Sequence, residues 1–198
     1  MENLNIEGIG DLNKVTELFA QLNCPGSDNC IVVATNRDFG AVVDPGDSIS
    51  GSVTSAGANV GGIAGGIIGA AVGNAINNTV REAAAEFNQK TDEKQKIAFS
   101  TKYAGFLINV TSEGVGVIPL RNGGQLMPNI KDCVTDAANF IFFSNDEIVK
   151  REMKNLLWLK VFHLYFANIQ VGTPWQVPKK HKLVPYQAEN FKKLEARL

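Results

Sequence analysis

Apolar residues near the start of the chain recur at helical spacing. They follow one another at intervals of three and four residues, which places them on one face of a helix. Asp11 precedes this run as an N-cap, and residues 24–26, Cys-Pro-Gly, interrupt it. The sequence therefore predicts one N-terminal helix within residues 1–24. The residues on its apolar face are Leu12, Val15, Phe19 and Leu22.

A first β pattern follows this helix. Residues 30–43 predict a short hairpin in which an aliphatic strand at 31–33 pairs with a returning strand at 39–43. Residues 44–47, Asp-Pro-Gly-Asp, then predict a turn.

The pattern returns to strands from residue 97. Residues 106–110 and 115–120 predict a second hairpin, with Gly114 supplying the positive φ of its turn. After Pro185 an apolar stripe predicts a terminal helix; its residues are Phe191, Leu194 and Leu198. Further strand candidates lie at residues 139–144, 147–154, 157–167 and 169–177.

These elements together predict an α+β protein with a single domain over residues 1–198. Residues 30–43 and 97–198 form an antiparallel β-barrel or sandwich that the C-terminal helix closes, and residues 48–96 form a helical insertion.

The insertion carries a glycine repeat with a period of four. This period keeps the glycines on roughly one face of a helix and lets a second helix approach closely, as in GxxxG motifs. The sequence therefore predicts a packing helix over residues 57–73. Its glycines are Gly57, Gly61, Gly65, Gly69 and Gly73.

This glycine helix is costly on its own. Residues 53–76 contain seven glycines, and each costs about 1 kcal/mol relative to alanine, which is comparable to the net stability of a domain. We therefore expect it to pack against the protein's own helices or a second copy. A membrane span, which its length permits, and a flexible or β-like segment remain as alternatives.

Charge is unevenly distributed along the chain. Residues 148–198 hold ten Lys and Arg against three acids, a net charge of +7, whereas residues 1–147 carry −8. A basic C-terminal quarter attracts phosphate-bearing partners, and the alternative is that its charges are simply spread over a solvated surface. Anionic lipid is one such partner, and nucleic acid is not expected.

The densest basic segment is the loop before the last helix. Lys179, Lys180 and Lys182 lie close to Trp175, an arrangement suited to phosphate or anionic lipid at a membrane interface. We single out these three lysines as candidate anion-binding residues. The alternative is an ordinary solvated connection.

Catalytic signals are weak. The sequence contains no nucleotide-binding, nucleophile-elbow or HExxH motif. His163 fits a structural position within a strand, and Asp44 and Asp47 fit backbone-capping positions in a turn. We therefore predict a protein that is not an enzyme and that uses no cofactor and no metal.

The three cysteines and the N-terminus indicate the compartment. Cys24, Cys30 and Cys133 are too few and too irregular for a disulfide framework, so reduced thiols are favoured over a Cys24–Cys30 pair. The first residues include two acids and no basic n-region, so no signal peptide is expected. We expect a cytoplasmic protein, with membrane association left open.

The order of elements from Tyr103 onward carries a family resemblance, together with residues 31–43. The landmarks are Val115 to Leu120, Phe140 to Phe143 before Glu147-Ile148-Val149, and Trp175-Gln176-Val177-Pro178 leading to Asn190-Phe191. In this order the chain resembles the pleckstrin-homology-like (PH-like or GRAM-like) domains of bacteria. The resemblance implies a partly open barrel that a C-terminal helix plugs at one end. It implies no particular ligand.

These observations give two expectations for function. The first is a PH-like interaction module whose glycine helix mediates self-association or membrane docking. The alternative is a module that binds anionic lipid or phosphate through the basic loop.

Overall fold

The computed structural model describes residues 2–24, 26, 29–35, 87, 89–100, 103–121, 133–156, 159–169 and 171–198. The helices are α1 (Ile6–Gly10), α2 (Leu12–Gln21), α3 (Glu93–Ala98) and α4 (Gln187–Glu195), and Ala137–Asn139 forms a 3-10 turn. The strands are β1 (Cys30–Thr35), β2 (Gly105–Val110), β3 (Gly114–Arg121), β4 (Val134–Thr135), β5 (Ile141–Ser144), β6 (Ile148–Leu156), β7 (Leu159–Phe166) and β8 (Trp175–Gln176). The predicted glycine helix at 57–73 lies outside the described residues.

The eight strands form one antiparallel sheet, which confirms the predicted α+β class. Its order is β4-β3-β2-β1-β8-β7-β6, and β5 also pairs with β3. The outer edge of β3 pairs with β5 over its first half and with β4 at its end. In the described part of the chain no pairing joins β6 to β4 or β5, so the sheet is open and not a closed barrel.

The N-terminal segment contains two helices where the sequence predicts one. Asp11 separates them in an extended conformation, with φ −97° and ψ 107°. Its N–H donates to Gly8 O at the end of α1, and its carboxylate accepts from Asn13 N (3.0 Å) at the start of α2. Leu12 is 38% exposed, and Leu18 joins the buried face instead. The residues buried on α2 are Val15, Leu18 and Phe19.

The predicted hairpin over residues 30–43 is wrong in its pairing. One edge of β1 pairs with β2, and the end of its other edge pairs with β8. Further along this second edge, side-chain amides of α4 bond to β1, so neither edge is free for residues 39–43. That returning segment and the turn at 44–47 lie outside the described residues.

The second hairpin, β2–β3, is confirmed, but its glycine acts differently from the prediction. The turn is held by Thr111 Oγ1, which accepts from the N–H groups of Glu113 (3.2 Å) and Gly114 (3.1 Å). Gly114 does not adopt a positive φ. A Cβ there would lie 2.2 Å from Phe143 O, so the close approach of β5 requires the glycine.

The C-terminal quarter differs from the prediction in two places. Among the described residues of the predicted strand at 169–177, only the two residues of β8 form a strand of the sheet. Helix α4 ends at Glu195, so Leu198 lies beyond it and is 43% exposed. The buried apolar residues of α4 are Phe191 and Leu194, and the polar residues Gln187 and Asn190 are buried beside them.

Two hydrophobic cores lie on opposite faces of β1–β3, because alternate residues of these strands point to opposite faces. Val33 and Phe106 belong to the first core, which also receives Trp175 and Phe191. The second core lies under α1 and α2 and contains Leu107 and Phe19, among others. Helix α4 therefore packs against the side of the first core.

Candidate functional site

A shallow groove lies where α4 meets the start of β7 and the loop that follows β8. Its volume is about 370 Å³, within the range of small-ligand sites. The groove contains four lysines and one glutamate, so it carries a net charge of +3. Its lining residues are Lys160, Lys179, Lys180, Ala188, Phe191, Lys192 and Glu195.

The loop that carries Lys179 and Lys180 is tied down on both sides of the groove. Val177 N donates to the backbone oxygen of Lys160 on β7 (2.8 Å). Pro178 O accepts from Gln187 Nε2 on α4 (2.8 Å). The two residues before Lys179 are thus bonded to the two elements that supply the other lysines.

One face of α4 forms the side of the groove. Ala188, Lys192 and Glu195 follow at intervals of four and three residues, so they share a helix face. Phe191 and Leu194 on the adjacent face are buried in the first core and hold α4 in place. The fixed helix therefore presents Lys192 and Glu195 at a set position.

The lysines of the groove differ in their partners. Lys160 Nζ lies 2.5 Å from Glu195 Oε1, and the Lys160 side chain is only 16% exposed. Lys179, Lys180 and Lys192 are exposed and form no ion pair with any residue that the structure describes. Three ammonium groups are therefore free to meet an anion.

The predicted anion-binding set is brought together only in part. Lys179 and Lys180 line the groove, whereas Lys182 lies in the following turn and does not. That turn is closed by Leu183 N, which donates to His181 Nδ1 (3.1 Å), and burial lowers the pKa of His181. Because the turn redirects the chain after Lys180, spacing in the sequence misplaces Lys182.

Two lysines of the groove, Lys160 and Lys192, are not in the predicted set. The sequence contains a signal for Lys192, since it follows Ala188 by one helical turn on the helix that the apolar stripe predicts. It contains none for Lys160, which lies in a β strand and reaches the groove only through tertiary structure. Its inclusion depends on the pairing of β7 with β8.

Glu147 lies outside the groove and has structural partners. Glu147 Oε2 accepts from Ser144 N and Oγ (both 2.9 Å), and Glu147 Oε1 pairs with Lys94 Nζ (2.7 Å). Burial raises the pKa of Glu147, but these hydrogen bonds outweigh burial and hold the pKa below its ordinary value. Glu147 is thus a turn-capping carboxylate.

His163 and the cysteines are also placed within the fold. Burial, assisted by Lys154, lowers the pKa of His163. Cys24, Cys30 and Cys133 are buried thiols, and no disulfide joins Cys24 to Cys30. Among the described residues no group of His, Cys, Asp and Glu could hold a metal ion.

Several predicted features fall outside the described residues. These are Asp44, Asp47 and the five glycines Gly57, Gly61, Gly65, Gly69 and Gly73. Over the part of the chain that is described, no helix has the length and apolar character needed to cross a membrane.

Protein-family models, curated proteins and solved structures gave no significant match to this chain.

Proposed function

We propose that this protein is a non-enzymatic module that binds a phosphate-bearing ligand in the α4 groove. The observation that supports this most directly is the convergence of Lys160, Lys179, Lys180 and Lys192 from three separate segments on one groove. A solvated surface spreads like charges apart, because their repulsion is unfavourable. Lysines gathered around one concavity favour an anionic occupant.

The groove suits a small anionic group. Free ammonium groups on Lys179, Lys180 and Lys192 can each donate to a phosphate oxygen, and Lys is a common phosphate ligand. Phosphate occurs both on soluble metabolites and on lipid headgroups, and the same lysines would bind either. The shared chemistry is therefore the phosphate group.

The test compares two sources of phosphate. Glycerol phosphate is titrated by calorimetry, and vesicles of phosphatidylglycerol in phosphatidylcholine are tested by co-sedimentation. We expect at least one of them to bind with an affinity that falls as salt rises. Binding to vesicles alone identifies the lipid headgroup, and binding of glycerol phosphate identifies a soluble ligand.

The matched variants remove equal charge in two places. Lys179→Gln with Lys180→Gln removes two charges from the groove, and Lys150→Gln with Lys154→Gln removes two from β6. We expect the first pair to abolish binding and the second to weaken it little. Failure of both probes to bind, or equal loss in the two double variants, would overturn the proposal.

We also propose that the open sheet and α4 form a PH-like fold. The support is the antiparallel order of the sheet and the position of the C-terminal helix, whose Phe191 and Leu194 are buried against the first core. An experimental structure in which α4 does not lie against the sheet would overturn it.

A second candidate function comes from the glycine register. Five glycines at a strict spacing of four favour close helix packing, so we propose that residues 57–73 mediate self-association or membrane docking. The test is Gly65→Leu with Gly69→Leu, which places bulk on the packing face. We expect a smaller oligomer or weaker membrane partitioning. If both oligomer mass and partitioning are unchanged, the glycine helix has neither role.

A further inference from the structure

Gln187, at the start of α4, is fully buried and has three hydrogen bonds to backbone groups. Its Oε1 accepts from Val32 N (2.9 Å), and its Nε2 donates to Val32 O (2.9 Å) and Pro178 O (2.8 Å). Both amide hydrogens and the oxygen are therefore used. A buried amide is tolerated because its hydrogen bonds are satisfied.

The third bond is the one that bears on the groove. Pro178 immediately precedes Lys179, and proline restricts φ, so a bond to its carbonyl fixes the direction in which the chain continues to Lys179 and Lys180. The same amide fixes α4, which carries Lys192, to β1. Gln187 is the single side chain, among those described, that bonds both to β1 and to the basic loop.

We propose that Gln187 is a positioning residue for the anion site, holding Lys179 and Lys180 at the distance from Lys192 that lets them act on one anion. This inference rests on the proposed function. Gln187 itself does not line the groove. It acts through the loop that it anchors.

Asn190 provides a matched control on the same helix. It is also buried, and its Nδ2 donates to Cys30 O of β1 (2.8 Å). It has no bond to the loop at 177–180. Loss of Asn190 therefore weakens the attachment of α4 to β1 and leaves the loop anchor in place.

The experiment compares Gln187→Met with Asn190→Leu, two replacements of similar volume. Both lower the thermal unfolding midpoint, since each removes buried hydrogen bonds. At a temperature where both are folded, binding of glycerol phosphate and of phosphatidylglycerol vesicles is measured. We expect Gln187→Met to weaken binding about tenfold and Asn190→Leu to change it by less than about twofold.

A double-mutant cycle separates positioning from general structure. Gln187→Met is combined in turn with Lys179→Gln and with Lys180→Gln, so that each background keeps one loop lysine. The effect of Gln187→Met on binding should be smaller in these backgrounds, because fewer contacts to the anion depend on the loop anchor. Should Gln187→Met fail to fold, Gln187→Asn keeps the amide but is too short to reach both β1 and Pro178, and it takes its place.

The outcomes are distinct. Equal weakening by the Gln187 and Asn190 variants, or an unchanged effect of Gln187→Met across the cycle, overturns the positioning role while leaving the anion site intact. Absence of binding by the unmodified protein overturns the proposed function, and the positioning role with it.

Discussion

Strands β1–β3 and the ribbon of β6 and β7 belong to one sheet but differ in how many faces are covered. In β1–β3 both faces are buried, with Val33 and Phe106 in the first core and Leu107 in the second. In the ribbon, alternate residues of β7 enter the first core, while the other face carries charge. The residues on this charged face are Lys150, Glu152, Lys154, His163 and Tyr165.

The two regions therefore differ in how readily their strands can carry binding residues. A strand that is buried on both faces must be apolar at nearly every position, so it has little freedom to carry binding residues. The ribbon is less restricted. Lys160 shares the core-facing side of β7 with Phe162 and Leu164, but it lies near the start of the strand, where it reaches the groove. The candidate site therefore lies where the ribbon meets α4.

Truncation of an aromatic ring should show the largest contrast between the two regions. Phe106 is fully buried and lies 5.4 Å from the ring centre of Trp175. Phe106→Ala should lower the free energy of unfolding by about 3–5 kcal/mol. Tyr165→Ala, on the ribbon's charged face, should cost only about 1 kcal/mol, chiefly through lost contacts with Lys150 and Lys154. Urea denaturation measures both, and equal losses would contradict the contrast.

The features that can be predicted from the sequence also differ between contacts local in the chain and contacts between distant segments. The sequence predicts the β2–β3 hairpin correctly, because its strands are neighbours in the chain and its apolar runs indicate burial directly. It does not predict the partners of β1, since β8 and α4 are more than a hundred residues away in the sequence. It does not predict the position of Lys160 either, because that position in the groove depends on tertiary pairing.

The role of Gly114 illustrates another limit. Sequence patterns associate a glycine after a strand with a positive φ, but here the cause is steric contact with β5. Such a contact is created by a distant strand and leaves no local signal. Likewise, Asp11 was predicted as a cap, yet only the structure reveals that it also ends α1.

The second prediction concerns ion pairs in the two regions. Arg121 on β3 pairs with Asp136 (2.6 Å), whose side chain is 2% exposed, so Arg121→Gln leaves a buried carboxylate without its cation. We expect a loss of about 2–3 kcal/mol. Lys154→Gln on the ribbon removes an exposed pair with Glu152 and should cost less than about 0.5 kcal/mol. Thermal unfolding of both variants measures the difference, and a larger loss for Lys154→Gln would reverse the comparison.

A third prediction tests the steric role of Gly114. Gly114→Ala forces the strands β3 and β5 apart and should cost about 2 kcal/mol. Gly26 is the matched control, because its φ of +69° is strained for alanine but its Cβ would meet only ordinary contacts with Thr111. Hydrogen exchange at β5 measures the strand separation. It should rise in Gly114→Ala and stay unchanged in Gly26→Ala.

The smallest effect is expected from His163 on the ribbon. Burial lowers its pKa below the ordinary value of 6.5, with Lys154 lowering it further and Glu152 acting in the opposite direction. As the pH falls through 6.5, the unfolded chain binds a proton that the folded chain does not, so the folded state loses stability. The loss should begin near pH 6.5 and grow as the pH falls, until the imidazole of the folded chain is also protonated.

The variants for this test are His163→Gln and His181→Gln. The pKa of His181 is also lowered by burial, so each single variant should remove part of the slope and the double variant most of it. Stability measured by urea at several pH values reports the slope. A slope that persists unchanged in the double variant would assign the pH dependence to other groups.

The hydrogen bonds of Gln187 and Asn190 to β1 have a consequence for aggregation. They occupy the N–H and C=O of Val32 and the C=O of Cys30, which would otherwise form an open strand edge. Open, apolar edges recruit strands from other molecules. Proteolytic loss of α4 would thus expose unpaired backbone groups of β1 in the middle of the sheet. We therefore expect the C-terminal helix to protect the protein against aggregation.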